Sequence, residues 1–169
     1  MTTGRRESMY YSDHIFRSHV PGEGDISAGD EKMQTDASLH LHYMDVVKKT
    51  LRKENIIFQE LEECVLRVSW TNKQIVIAAQ EGTACLQMAG RAHIGMPAEK
   101  RPAAYELINS LNEDELVQCY LDEKGNLTAC QILVLADSVL SEKMVITMLG
   151  YVWNALDAGF EPLMKLRYS

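Results

Sequence analysis

VQCYLDEKGNLTACQILVL, residues 117–135, decides how the chain is read. Two apolar runs, Glu115 to Asp122 and Leu127 to Ala136, flank the short phrase Glu123-Lys124-Gly125-Asn126. A glycine free to take positive φ, between runs rich in apolar and β-branched residues, marks a hairpin. The second arm, from Cys130 to Leu135, is almost wholly apolar, which predicts a central strand covered on both faces.

Upstream, the period of two continues from Ile56 to Ile94. Leu66, Val68 and Trp70 alternate with Arg67, Ser69 and Thr71; Gln74 to Gln80 is rich in Ile and Val; Leu86, Met88, Gly90, Ala92 and Ile94 alternate with Cys85, Gln87, Ala89, Arg91 and His93. Turns at Asn72-Lys73 and Glu81-Gly82 separate them, so the segment predicts a meander of three or four antiparallel strands. A helix is expected ahead of it, capped by Asp36 or Ser38, with Leu39, Tyr43, Val46/Val47 and Leu51 on its buried face. Between meander and hairpin, Pro97 and Pro102 place a helix start near Ala98 or Glu99, with Ala104, Ile108 and Leu111 facing inward and Asn112 ending it. A last helix is capped by Ser138 or Ser141, and Gly159 with Pro162 predicts its end. The expected fold is α+β, an antiparallel sheet with helices in the order α-β-β-β-α-β-β-α.

Length and charge narrow the function. The chain has 169 residues, 17 basic against 24 acidic side chains and a net charge of −7. That balance disfavours affinity built on phosphate neutralisation, so no nucleic-acid partner is expected. No apolar run nears the roughly 20 residues of a membrane span, and no hydrophobic stretch follows Arg5 and Arg6 as in a secretory leader. The expectation is a cytoplasmic protein that meets no membrane. Cys64, Cys85, Cys119 and Cys130 are all at least 11 residues apart, which leaves no CxxC pair and fits reduced structural thiols.

Residues 1–37 differ from the rest. They hold four of the ten glycines, four basic and seven acidic side chains, and no sustained apolar period. Such a segment cannot bury enough surface to offset its chain entropy, so it is read as a flexible acidic arm, with residues 38–169 forming one domain. Inside the arm, Tyr10-Tyr11-Ser12-Asp13-His14-Ile15-Phe16 is an apolar island suited to docking on a partner or on the domain itself.

A search for chemistry finds no phosphate-binding glycine loop, no GxSxG and no HExxH. His40 and His42 fall on different sides of a helix and cannot share a metal there. Cys85 and His93 share a strand face but lie about 26 Å apart at the usual rise. Cys119 with His93 stays open as a cross-strand pair. Glu113-Asp114-Glu115 reads as a solvated turn. No catalytic residue, cofactor or metal ligand is therefore assigned, and the protein is not expected to be an enzyme. The final helix, by contrast, carries more apolar surface than one sheet can hide. Trp70, Met88, Met144, Met148, Tyr151 and Trp153 are the expected contacts to a partner or a second subunit, since flexible methionines and large aromatics serve such surfaces.

Three phrases carry a resemblance. They are Leu107-Ile108-Asn109-Ser110-Leu111-Asn112, the hairpin around Asp122-Glu123-Lys124-Gly125-Asn126-Leu127, and the helix closing on Phe160-Glu161-Pro162-Leu163-Met164-Lys165-Leu166. In these, and over about residues 39–168, the chain resembles the YbjN-like family, whose fold is that of the class I type III secretion chaperones. The N-terminal arm departs from that compact pattern. The resemblance implies a bacterial cytoplasmic protein, commonly a homodimer, that binds a client or regulatory protein without catalysis and has no catalytic residues to carry over. A regulatory adaptor working through the arm is the alternative.

Overall fold

The structure, a computed structural model, describes residues 30–79, 83–114, 116–135 and 139–169. Helix α1 spans Asp30–Lys53, and strands β1 (Phe58–Glu62), β2 (Val65–Ser69), β3 (Lys73–Ala79) and β4 (Cys85–Ala92) follow. Helix α2 (Arg101–Leu111) leads to β5 (Gln118–Leu121) and β6 (Leu127–Val134), and α3 (Glu142–Tyr168) closes the domain. The six strands form one antiparallel sheet in the order β1-β2-β3-β4-β6-β5. Four strands precede α2, where the shorter form of the expected order had three. The β5–β6 hairpin folds back so that β6, not β5, joins β4, with Leu86 opposite Leu133 and Gly90 opposite Ala129.

The core lies between this sheet and the helices. Leu66, Val68, Ile75, Ile77, Leu86, Met88 and Leu127 from the sheet meet Tyr43, Met44, Val47 and Leu51 of α1, Ala104 and Ile108 of α2, and Val145, Met148, Val152 and Leu156 of α3. Each strand contributes alternate residues, as the pleat requires. Helix α3 lies close over β4 because Gly90 has no side chain: a Cβ there would come 2.7 Å from both Leu156 and Val152.

Helix ends explain three departures from expectation. Helix α1 begins at Asp30, so positions 36 and 38 lie inside it and not at its start, where the Asp36 or Ser38 cap was expected. Lys32, Met33, Gln34 and Ala37 are all good helix formers, and a polar composition masked that propensity. Of the expected arm, residues 30–37 are thus helical backbone, and the Tyr10–Phe16 island lies outside the described residues. At the other end, Asn55 takes φ 56°, the Ile56 N–H donates to the Leu51 carbonyl (2.8 Å) and the Asn55 N–H to the Arg52 carbonyl (3.1 Å). That double bond pattern is a Schellman stop with asparagine in the left-handed position.

Helix α3 does not end at Gly159 or Pro162 but runs on to Tyr168. Gly159 serves close packing instead: a Cβ there would sit 2.6 Å from Leu127 and 2.8 Å from Leu111. Pro162 is exposed while Leu163 beside it is fully buried, so tertiary burial carries the helix past the missing hydrogen bond. The real terminus is closed by Lys100, whose ammonium donates to the carbonyls of Leu166 (2.9 Å) and Arg167 (3.1 Å). The other end matches the expected Ser141 cap, which accepts from the Met144 N–H at 3.2 Å.

Candidate interaction surface

All three described helices pack on one face of the sheet, and among the described residues no element covers the other face. From β2 to β5 that open face presents Val65, Arg67, Ser69, Gln74, Val76, Ala78, Cys85, Gln87, Ala89, Arg91 and then Thr128, Cys130, Ile132, Val134, Gln118 and Tyr120. No side chain among them is acidic, in a chain with 24 acids. Ile132 is 60% exposed, Val134 67% and Tyr120 42%. The expectation that β6 is covered on both faces is therefore wrong. An unbroken apolar run reports only that both sides of a strand avoid water, not that the same chain supplies the cover.

The two charges on this face are tied down. Arg91 pairs with Asp122, and the Arg67 guanidinium donates to Gln59 at 2.5 Å. Gln87 donates to the Cys130 sulfur at 3.2 Å. Burial pushes the Cys130 thiol above its usual range, against that hydrogen bond.

The sheet's two edges differ. On β5 the Asn112 side chain occupies the outward backbone groups of Cys119: its Oδ1 accepts from the Cys119 N–H at 2.7 Å and its Nδ2 donates to the Cys119 carbonyl at 3.0 Å. An asparagine amide thus stands where a neighbouring strand would, in a shallow cleft of about 460 Å³ lined by Asn112 and Val117 to Tyr120. The β1 edge has no such plug among the described residues. It carries Glu60, held at 2.8 Å by Lys48, and Glu62.

A second apolar patch forms where β2 turns into β3. The Trp70 and Trp153 rings lie 4.2 Å apart at 55°, and Trp70 is 39% exposed. Lys73 is buried beside them, 4.7 Å over the Trp153 ring and 5.6 Å over Phe160, and paired with Asp157. Desolvation lowers the Lys73 pKa.

The six residues expected at contacts divide accordingly. Met88 and Met148 fill the chain's own core and offer a partner nothing. Met144 is half-buried against that core, and Trp153 is largely hidden by Trp70 and Lys73. Trp70 and Tyr151 (40% exposed) face outward. The excess on α3 is thus smaller than its composition implied, because the β2–β3 turn folds over it. The greater apolar exposure is on the back of the sheet, at Ile132 and Val134, which sequence reading placed inside.

Among the described residues the thiols and imidazoles do not converge. Cys119 lies on the helix side, buried, with its pKa pushed up to about 11 by desolvation, the reverse of an activated thiol. His93 is exposed on the segment after β4, and no hydrogen bond joins it to Cys119 among the described residues. His40 is buried and His42 exposed, on different sides of α1. Among the described residues no three His, Cys, Asp or Glu side chains gather as a metal site, and no helix is long and apolar enough to cross a membrane.

Comparison with known proteins places the fold. An uncharacterized protein from Methanothermobacter thermautotrophicus superposes with a TM-score of 0.51 at 14% identity, covering 74% of this chain and 99% of its own. YbjN from E. coli gives 0.49 at 17%, covering 72% and 89%. The heterodimeric complex ExoU–SpcU of the Pseudomonas aeruginosa type III secretion system gives 0.47 at 14%, covering 70% and 95%. No curated protein matches at a significant level. The family described as "Putative bacterial sensory transduction regulator" matches residues 44–163, from α1 to the last turns of α3 and including the hairpin around Gly125, and by that match the chain belongs to the YbjN family.

Proposed function

We propose that the protein is a non-enzymatic binding module of the bacterial cytoplasm, a homodimer that buries a segment of a client polypeptide against its sheet. The observation that carries this reading is the open sheet face, apolar and mostly exposed at Ile132 and Val134. An extended or amphipathic segment laid there would remove that surface from water. Trp70 and Tyr151 form the smaller contact area. The open β1 edge, unlike the plugged β5 edge, leaves room for strand addition. The net charge of −7 favours clients with basic flanks, whose association weakens as salt rises.

The test compares a photo-crosslinker at Gln87 in the wild-type background and in an Ile132→Asp/Val134→Asp background. A partner recovered by the first and lost in the second is expected; equal recovery, or no adduct in either, overturns the reading. Light scattering at micromolar concentration tests the dimer, and a strict monomer removes it.

The family's description as a sensory transduction regulator supports a second reading, a regulatory adaptor, which on this reading contacts its signalling target through the N-terminal arm, residues 1–37. Removing those residues abolishes target binding on that reading and leaves client binding intact on the first.

A further inference from the structure

We infer that the corner where the segment after β4, the β5–β6 turn and the end of α3 meet docks an acidic segment of a partner polypeptide. This inference does not depend on the sheet-face reading, and its charge preference is the opposite one.

Most cations in the described structure are neutralised. The basic side chains of α1 from Lys48 to Lys53, together with Lys73, Arg91 and Lys165, all sit in ion pairs. Among the described side chains, Arg67, Lys100, Arg101, Lys124, Lys143 and Arg167 pair with no carboxylate. Four of these six gather in the one corner. Arg101 donates to the carbonyls of Glu123 (2.8 Å) and Met96 (3.5 Å), and Arg167 to that of Ile94. Lys100 bonds the Leu166 and Arg167 carbonyls at the end of α3, and Lys124 stands exposed in the turn beside Glu123.

A carbonyl oxygen holds a cationic head in place without cancelling its charge. The corner therefore presents cations that are already positioned and still uncompensated. Arg167 bonds Ile94 through Nη1, which leaves its Nε–Nη2 edge, the edge that takes a carboxylate through two parallel hydrogen bonds. Arg101 keeps Nη1.

The local sign is reversed. Residues 94–101, 122–125 and 165–169 carry five basic and three acidic side chains, +2 in a chain of −7. Of those acids Asp122 is tied to Arg91, which leaves Glu99 and Glu123. At physiological salt, charges beyond about 8 Å are largely screened, so an approaching segment meets the corner's sign and not the chain's. A nucleic acid needs a broader run of cations than this. The four heads come from three separate segments, which suits carboxylates spaced along a peptide better than one small anion.

A hexaglutamate peptide titrated into the full-length protein at about 50 mM salt, read by amide chemical shifts, tests the inference. Saturable shifts are expected at Gly95, Lys124 and Arg167. Affinity should fall at least about fivefold in Arg101→Gln/Lys124→Gln and stay unchanged in Lys143→Gln, the unpaired cation at the start of α3. Lys124→Gln alone changes an exposed side chain and should weaken binding about twofold, so a fold defect from losing Arg101 does not decide the outcome. Absence of saturable shifts, equal weakening by Lys143→Gln, or shifts centred on Lys48 to Lys53 overturns the inference. So does inorganic phosphate that matches the peptide at equal charge, which would mark a lone-anion site. No client and no sheet-face variant enters this titration, so it stands or fails separately from the crosslinking comparison.

Discussion

Replacing Gly125 with alanine attacks the point on which two halves of the domain meet. Gly125 sits in the β5–β6 turn at φ 75°, in the left-handed region that costs an alanine about 1 kcal/mol. Its added Cβ would also lie 2.6 Å from the Met96 nitrogen and closer still to the Met96 carbonyl oxygen, both backbone atoms that cannot swing aside. The turn must therefore back away from residues 94–96, and three hydrogen bonds are at stake. The Met96 N–H donates to the Gly125 carbonyl at 2.8 Å, and the N–H groups of Ile94 and Gly95 both donate to the Asn126 Oδ1 at 3.1 Å. Asn126 is itself buried and oriented by Asp122, which accepts from its backbone N–H at 2.8 Å. Each of the three bonds contributes about 1 kcal/mol, and partial loss of all three plus the backbone strain gives about 2–4 kcal/mol. For a domain of this size that lowers Tm by about 6–16 °C. Urea unfolding followed by far-ultraviolet circular dichroism measures it directly. A loss below about 1 kcal/mol would refute the idea that this turn pins the crossover into α2.

The same substitution at Gly150 has the opposite sign: no atom lies within 4 Å of a Cβ there, and alanine in mid-helix should stabilise by about 0.5–1 kcal/mol in the same urea assay. Cys119, with its pKa at about 11 against an ordinary 9.0, holds roughly 100-fold less thiolate at pH 8, so alkylation of the native protein should leave it as the slowest of the four thiols; labelling at the rate of Cys85 would contradict its burial. Glu142 joins the start of α3 to the end of α1 through Lys53 (2.5 Å) and Lys49 (3.3 Å), and the Lys53 hydrogen bond, then the Lys49 bond, depress its pKa below 4.5. A depressed carboxylate stabilises above its unfolded pKa and loses that contribution as pH falls through the folded one. The stability gap between wild type and Glu142→Gln should therefore narrow from pH 6 to pH 3, and a gap independent of pH would remove the interaction from the account.

Local signals carried most of the architecture. The alternation of Leu66 and Val68 or Leu86 and Met88 marks a strand wherever it falls, because the pleat repeats every two residues. Gly125 with Asn126 marked the hairpin, Pro102 the start of α2 and Ser141 that of α3, since each acts on backbone groups only a few residues away. The ends that sequence reading misplaced were those decided at a distance. Gly159 and Pro162 look like a stop, yet Leu111, Leu127 and Lys100, remote in the chain, hold α3 together past them.

The candidate surface was the least legible part. Sequence alone established an apolar β6, an apolar α3 and a chain poor in clustered catalytic groups. Only the tertiary arrangement decided which of those apolar faces meets water. With Trp70 folded over Trp153, α3 lost most of its apparent excess, and with all three helices on one side of the sheet, Ile132 and Val134 were left bare. Hydrophobicity is a property of a residue, whereas exposure depends on which distant element happens to lie across it, and no local pattern encodes that.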